Sequence, residues 1–142
     1  MRRFLAVCTG LALVTLGACA TDPVSPSDTC PRGTGSPALM FEVFFGRSVP
    51  GRGEVTQAEW RRFEEEVIVA HLPGGYTILD ASGAWRSQAT GKTIHENSKV
   101  LTVAMPDQAE SVDAVTHIRA AYQARFQQQS VGMAAWPGCA SF

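Results

Sequence analysis

Gly74–Met105, GGYTILDASGAWRSQATGKTIHENSKVLTVAM, decides how the rest of the chain is read. Tyr76 to Asp80 is rich in β-formers, and Trp85 resumes an extended run after Ala81-Ser82-Gly83, where a bulge or tight bend is expected. Ala89-Thr90-Gly91-Lys92 supplies a turn, and Lys99 to Met105 alternates as a second long strand. A long bent hairpin of this kind has an apolar face that it cannot bury alone. Flanking elements must cover it, and the residues describe a fold without naming a chemistry.

Outward from the hairpin, Leu39 to Phe45 is apolar on both alternating faces, which suits a central strand. Gly46 to Gly53 is a loop by its glycines and proline. Thr56 and Glu59 are spaced as a capping box and open a helix whose buried stripe is Trp60, Phe63, Val67 and Ala70. Leu72-Pro73-Gly74-Gly75 ends it. Beyond Met105, Asp107 and Glu110 are spaced as a second box. Val112, Val115, Ile118, Tyr122 and Phe126 recur at helical spacing, with the helix expected to run to about Gln129. Gly132 to Trp136 forms a closing edge strand, ended by Pro137-Gly138-Cys139. The order strand, helix, strand, strand, helix, strand predicts an α+β, ferredoxin-like βαββαβ domain: a four-stranded antiparallel sheet with both helices on one face.

The chain is 142 residues long, enough for one such domain. Its first eighteen residues resemble a secretory signal: Arg2 and Arg3, then the uncharged apolar run Phe4 to Leu16, then Leu16-Gly17-Ala18-Cys19. Those last four residues have the lipobox pattern in which the Cys19 thiol is acylated and becomes the first mature residue. An ordinary cleavage site at Ala18-Cys19-Ala20 and a retained membrane helix are the other two readings. The apolar run is short for a helix that stays in the membrane, and no stop-transfer charge follows it. The expected layout is signal 1–18, lipidated Cys19 with a flexible tether 19–37 rich in Pro, Ser, Thr and Gly, and a domain 38–142. Ala20 after the cysteine suits an outer-membrane destination facing the periplasm. Without Arg2 and Arg3, ten basic residues stand against thirteen acidic ones, a mature charge near −3. No nucleic-acid face is implied.

Cys30 precedes the first strand and Cys139 follows the last. The fold places the fourth strand antiparallel beside the first, so those two thiols are brought together and export favours a disulfide; two free thiols are the alternative.

The motifs FEVFFGRSVP, EWRRFEEEVI, GYTILDASGAWRS and ENSKVLTVAM resemble those of the exported bacterial family known as domain of unknown function 3574. The resemblance runs from about Phe41 to Met105 and more loosely to the end, and FFGRS, EWRRF and LDASGAWR together make it specific. It implies a signal or lipobox and brings no activity or substrate. One departure is Pro73-Gly74-Gly75, where the family pattern has an acidic residue before the glycine.

Arg47, Arg52 and Arg86, with Lys99 and the aromatic Trp85, are candidates for an anion site, because guanidinium groups bind carboxylates and phosphates in paired hydrogen bonds. Solvated charges pairing with Asp80, Glu54 and Glu96 are the plainer reading. His95 beside Glu96 offers acid–base chemistry, yet no nucleophile motif accompanies it. Alternation puts His95, Asn97 and Lys99 on one strand face and Glu96 and Ser98 on the other. His71, His95 and His117 lack ligand spacing, so neither metal nor cofactor is implied. Two functions follow as expectations. One is a lipid-anchored binding or structural module of the envelope, contacting an envelope protein or small ligand; the other is a small exported enzyme or anion binder using Arg47, Arg52, Trp85 and Arg86. Fold analogy adds a homodimer.

Overall fold

Phe41, Val43 and Phe45 alternate along β1 (Ser36–Gly46) and are fully buried, because every second side chain of a strand leaves on the same face. The computed structural model of the protein describes residues 30–88 and 90–142. The signal-like run, Cys19 and the tether up to Thr29 lie outside the described residues. β1 pairs antiparallel with β5 (Thr93–Met105) on one side and β6 (Gly132–Ala140) on the other, and β4 (Thr77–Arg86) adds outside β5. The sheet order β4-β5-β1-β6 is the ferredoxin-like order, with β1 central. Two short strands, β2 (Ser48–Val49) and β3 (Gly53–Glu54), form a separate ribbon inside the stretch read from sequence as plain loop.

The first helix begins at α1 (Gln57–Phe63) with the expected box: Glu59 N–H donates to Thr56 Oγ1, and Thr56 N–H to Glu59 Oε2. It then passes through a π-helical stretch, Glu64–Ile68, before a last turn, α2 (Val69–His71). The wider π turn advances the buried stripe by one residue, so Ile68 and Leu72 are buried while Ala70 is exposed. The second helix, α3 (Ala109–Phe126), lacks the expected capping box. Gln108 is its N-cap with no side-chain bond, and Ser111 Oγ donates instead to the Pro106 carbonyl at 2.7 Å. Ser111 is accordingly buried and Val112 is exposed at 40%. The helix stops at Phe126, short of Gln129, because Gln127 adopts the left-handed conformation at φ 53°.

β4 pairs with β5 without interruption from Thr77 opposite Thr102 to Arg86 opposite Thr93, so Ala81-Ser82-Gly83 makes no bulge. β5 begins at Thr93, which takes His95 to Ser98 into the strand. β6 continues through Pro137, which an edge strand tolerates because one row of its N–H groups has no strand to meet.

Both helices cover one face of the sheet. Between them and β1, the rings of Phe45, Trp60, Phe63, Tyr122 and Phe126 pack mostly edge to face, with Phe45–Tyr122 centroids 4.8 Å apart and Phe63–Tyr122 5.1 Å. Such pairs add about 1 kcal/mol each beyond their burial, so this cluster anchors the domain. Cys30 is disulfide-bonded to Cys139 across the β1–β6 edge, with Cα atoms 5.7 Å apart. The chain is therefore fixed to the fold from Cys30, ahead of the expected domain start. Among the described residues no helix is long and apolar enough to cross a membrane.

Candidate functional site

The register of β4 and β5 separates the residues that the sequence grouped. Trp85 opposite Ile94 and Gly83 opposite Glu96 lie on the open, helix-free side, whereas Arg86, Ala84 opposite His95, and Asp80 opposite Lys99 lie on the other. Lys99 is almost fully buried against the core. Its Nζ reaches Asp80 Oδ1 at 2.5 Å and sits 5.8 Å from the centre of the Trp60 ring. The hydrogen bond from Lys99, with its charge, holds the Asp80 carboxyl below its usual range.

Arg47 is spent on the chain itself. Nε and Nη2 both donate to the Val55 carbonyl, at 2.9 and 2.7 Å, and Nη2 lies 3.7 Å from Glu54. Arg52 donates to Glu59 Oε1 at 2.5 Å. That bond, then those from Thr56, pull the Glu59 carboxyl from 4.5 to about 2. The expected anion site joining Arg47, Arg52, Trp85 and Arg86 is not assembled, because neighbouring strand residues point to opposite faces and two of the three guanidinium groups bind the protein's own oxygens. Arg86 is exposed and forms no ion pair with a described residue. His95 borders a shallow depression of about 450 Å³ with Glu54 and Asn97, and Gly83 and Glu96 of the open face reach it too.

The larger concavity is on the open face. A cleft of about 770 Å³ is floored by Phe44, Val100 and Ile94, walled by Ala81 to Trp85, and closed at its ends by Ser48–Pro50 and Gln127–Ser130. Gly132 lets it form, since a Cβ there would stand 3.3 Å from the Phe44 ring. Gln128 Nε2 donates to the Ser48 carbonyl at 2.8 Å, tying the two end loops together. Glu96 and Trp85, both singled out from sequence, line this cleft; Phe44, Ser48 and Gln127 to Gln129 were not. The apolar even positions of β1 were a signal for Phe44, but the loops meet only in three dimensions.

Glu96 is held by its surroundings. Ser48 N–H donates to Oε2 at 3.1 Å, and the side chain lies over Gly46, where a Cβ would stand 2.6 Å from Oε1. The Gly46 carbonyl also accepts from the Tyr122 hydroxyl at 3.0 Å, and burial raises that phenol above its usual range. Glu96 forms no ion pair with a described residue, although the cleft wall half buries it.

Elsewhere the fold stacks two histidines that the sequence leaves far apart. The His71 and His117 rings lie 4.4 Å apart at 18°, and His71 Nδ1 donates to the Val67 carbonyl at 2.8 Å.

A phage SAM lyase solved with S-methyl-5'-thioadenosine shares this fold, with a TM-score of 0.56 at 14% identity over 72% of this chain and 90% of the lyase. Its apo form gives 0.51 at 16% identity over 80% and 97%. CutA from Synechococcus elongatus gives 0.49 at 11% identity over 76% and 87%. These are likenesses of fold. No curated protein matches the chain. Residues 40–142 match the model of the family described as Protein of unknown function (DUF3574), and the chain belongs to that family.

Proposed function

We propose that this protein is a ligand-binding module of the cell envelope, held to a membrane by lipid on Cys19, and that a small ligand occupies the cleft on the open face of the sheet. The observation that carries the reading is the lining of that cleft. Its volume of about 770 Å³ falls in the range of small-molecule sites, and its described walls are mostly apolar with a few placed polar groups. Glu96 is the one titratable side chain among the described lining residues. His95 and Glu54 share a separate depression with Glu96 but do not line this cleft. A single carboxylate in an apolar cleft suits binding, whereas catalysis by proton transfer calls for poised partners. The enzyme reading therefore has less support than the binding reading.

Export is supported by the signal-like Arg2 to Cys19 run and by the pairing of Cys30 with Cys139, a bond of oxidising compartments. With Cys30 fixed, the tether from Ala20 to Thr29 reaches at most about 35 Å. It joins the domain at the Ser36 end of β1, and the cleft is at the Gly46 end. On this reading the cleft mouth stands away from the anchoring membrane, open to a diffusing ligand.

The test uses the neutral dye N-phenyl-1-naphthylamine and the variant Gly83→Phe. A Cβ at Gly83 meets nothing within 4 Å, so a side chain can start there without a clash, and the ring is placed to occupy the cleft that Gly83 lines. Dye fluorescence that rises with the parent protein and is lost in the variant supports the reading; equal fluorescence in both removes the cleft as the site. Intact mass of membrane-extracted protein, before and after reduction, tests the rest. Acylated Cys19 and a gain of two hydrogens on reduction are expected, and an unlipidated chain starting after Ala20 overturns the anchor.

A further inference from the structure

The open face of the sheet carries its charge in one sign. By register, its described side chains include two carboxylates, Glu42 on β1 and Glu96 on β5, and no lysine, arginine or histidine. The nearest basic residues along these strands, Arg47, Lys99 and Arg86, belong to the opposite side, and the first two are bound to Val55 and Asp80. Glu96 is the carboxylate that reaches the cleft. One backbone N–H, from Ser48, is its described hydrogen-bond donor, while Phe44, Ile94 and Val100 present hydrocarbon around it. Half-burying a carboxylate among apolar groups costs free energy unless a counter-charge arrives. No described residue forms an ion pair with Glu96, and Trp85, on the same face, offers an aromatic surface of the kind that attracts cations.

We infer that the cleft selects an organic monocation, an amine or quaternary ammonium on an apolar or aromatic body, with Glu96 as its counter-charge and Trp85 beside its cationic group. The inference rests on the reading that the cleft is a ligand site. Anions are disfavoured by the same carboxylates. A second copy of the chain docked face to face would bring four carboxylates together without a cation between them, so a free cationic ligand fits this surface better than self-association does.

Phenyltrimethylammonium, its neutral isostere tert-butylbenzene and the anion benzenesulfonate are the probes, titrated into the parent protein while the Trp85 indole N–H resonance is followed. The cation is expected to bind more tightly than the isostere, and benzenesulfonate not at all. Glu96→Gln keeps an acceptor for Ser48 N–H and is expected to weaken cation binding about tenfold, the size of one partly desolvated charge–charge contact, while leaving tert-butylbenzene unchanged. Ser98→Lys, which sets an ammonium beside Glu96 on the same face, is the second variant and has the same expected outcome. If cation and isostere bind equally, and Glu96→Gln alters neither, the ligand class is wrong and the cleft reading stands. If none of the three probes nor the naphthylamine dye binds, both readings fall. A dimer in sedimentation that Glu96→Gln strengthens, with no probe bound, assigns the face to a second copy and overturns the inference.

Discussion

The two faces of one sheet are built from the same alternating strands and put to opposite uses. Under the helices, Phe41, Val43, Phe45, Leu101 and Val103 are buried, and four cations of that side are matched: Lys99 with Asp80, Arg47 with Val55 and Glu54, Arg52 with Glu59 and Arg125 with Glu66. On the open face, Phe44, Leu79, Trp85 and Trp136 remain exposed, and Glu42 and Glu96 form no described ion pair. The covered face satisfies its groups and holds the fold. The open face leaves large apolar side chains exposed and two carboxylates without a described ion partner, the features on which the proposed ligand site rests.

The widest separation between the faces is expected from paired tryptophan truncations. Trp60 is 1% exposed at the centre of the aromatic cluster, and Trp60→Ala should cost about 3 to 5 kcal/mol through lost contacts and a residual cavity. Trp136 is 41% exposed on the open face, and Trp136→Ala should cost less than about 1 kcal/mol. Urea unfolding of both variants measures the difference. Similar losses at the two sites would mean that the open face carries stability, and the division of labour argued above would collapse.

The Lys99–Asp80 pair gives a smaller but more pointed contrast, because its members are unequally exposed: the Lys99 side chain is 5% accessible and that of Asp80 is 79%. Removing Asp80 strands a buried ammonium. Removing Lys99 merely returns a carboxylate to water. Asp80→Ala is therefore expected to destabilise more than Lys99→Met in thermal unfolding, since the methionine refills the apolar part of the space over Trp60. The reverse order would show that the lysine stem, and not its charge, is what the covered face needs.

Much of the covered face was legible in the chain, because its signals are local or periodic. The Thr56–Glu59 box, the alternation of Phe41, Val43 and Phe45, and the recurrence of Val115, Ile118, Tyr122 and Phe126 each sit within a few residues. The order of elements then fixed which strands pair. What escaped depends on tertiary fit. The π turn at Glu64–Ile68 moves the buried stripe to Ile68 and Leu72, a shift chosen by packing rather than by composition. The site was half legible. Glu96 and Trp85 stood out as chemistry-bearing residues, and strand alternation already separates Glu96 from His95 and Lys99. Grouping Trp85 with Arg86 failed for that same reason, since adjacent strand residues face apart. The cleft itself needs Gln128 to meet Ser48 across 80 residues, and no local pattern announces that contact.

The smallest expected effect is the sharpest test of how finished the covered side is. Arg52 and Glu59 are exposed enough that their ion pair adds little at neutral pH, so Arg52→Ala should barely move the melting temperature there. The titration of Glu59 reports the pair more directly. The Glu59 carboxyl is held at about 2, below its ordinary 4.5, by Arg52 first and Thr56 second. A carboxyl depressed in the folded state contributes stability that is fully present above 4.5 and is lost as pH falls through about 2. Asp80, lowered by Lys99, acts in the same direction below its ordinary 3.8. In Arg52→Ala the Glu59 titration, followed by carboxyl NMR, should climb toward 4.5 without reaching it, because the Thr56 bonds remain. Any melting difference between parent and variant should then be at its full, small size above 4.5 and vanish as pH falls through about 2. A titration that stays near 2 in the variant would assign the depression to the helix cap alone, and Arg52 would become a free cation beside the β2–β3 ribbon rather than a matched one.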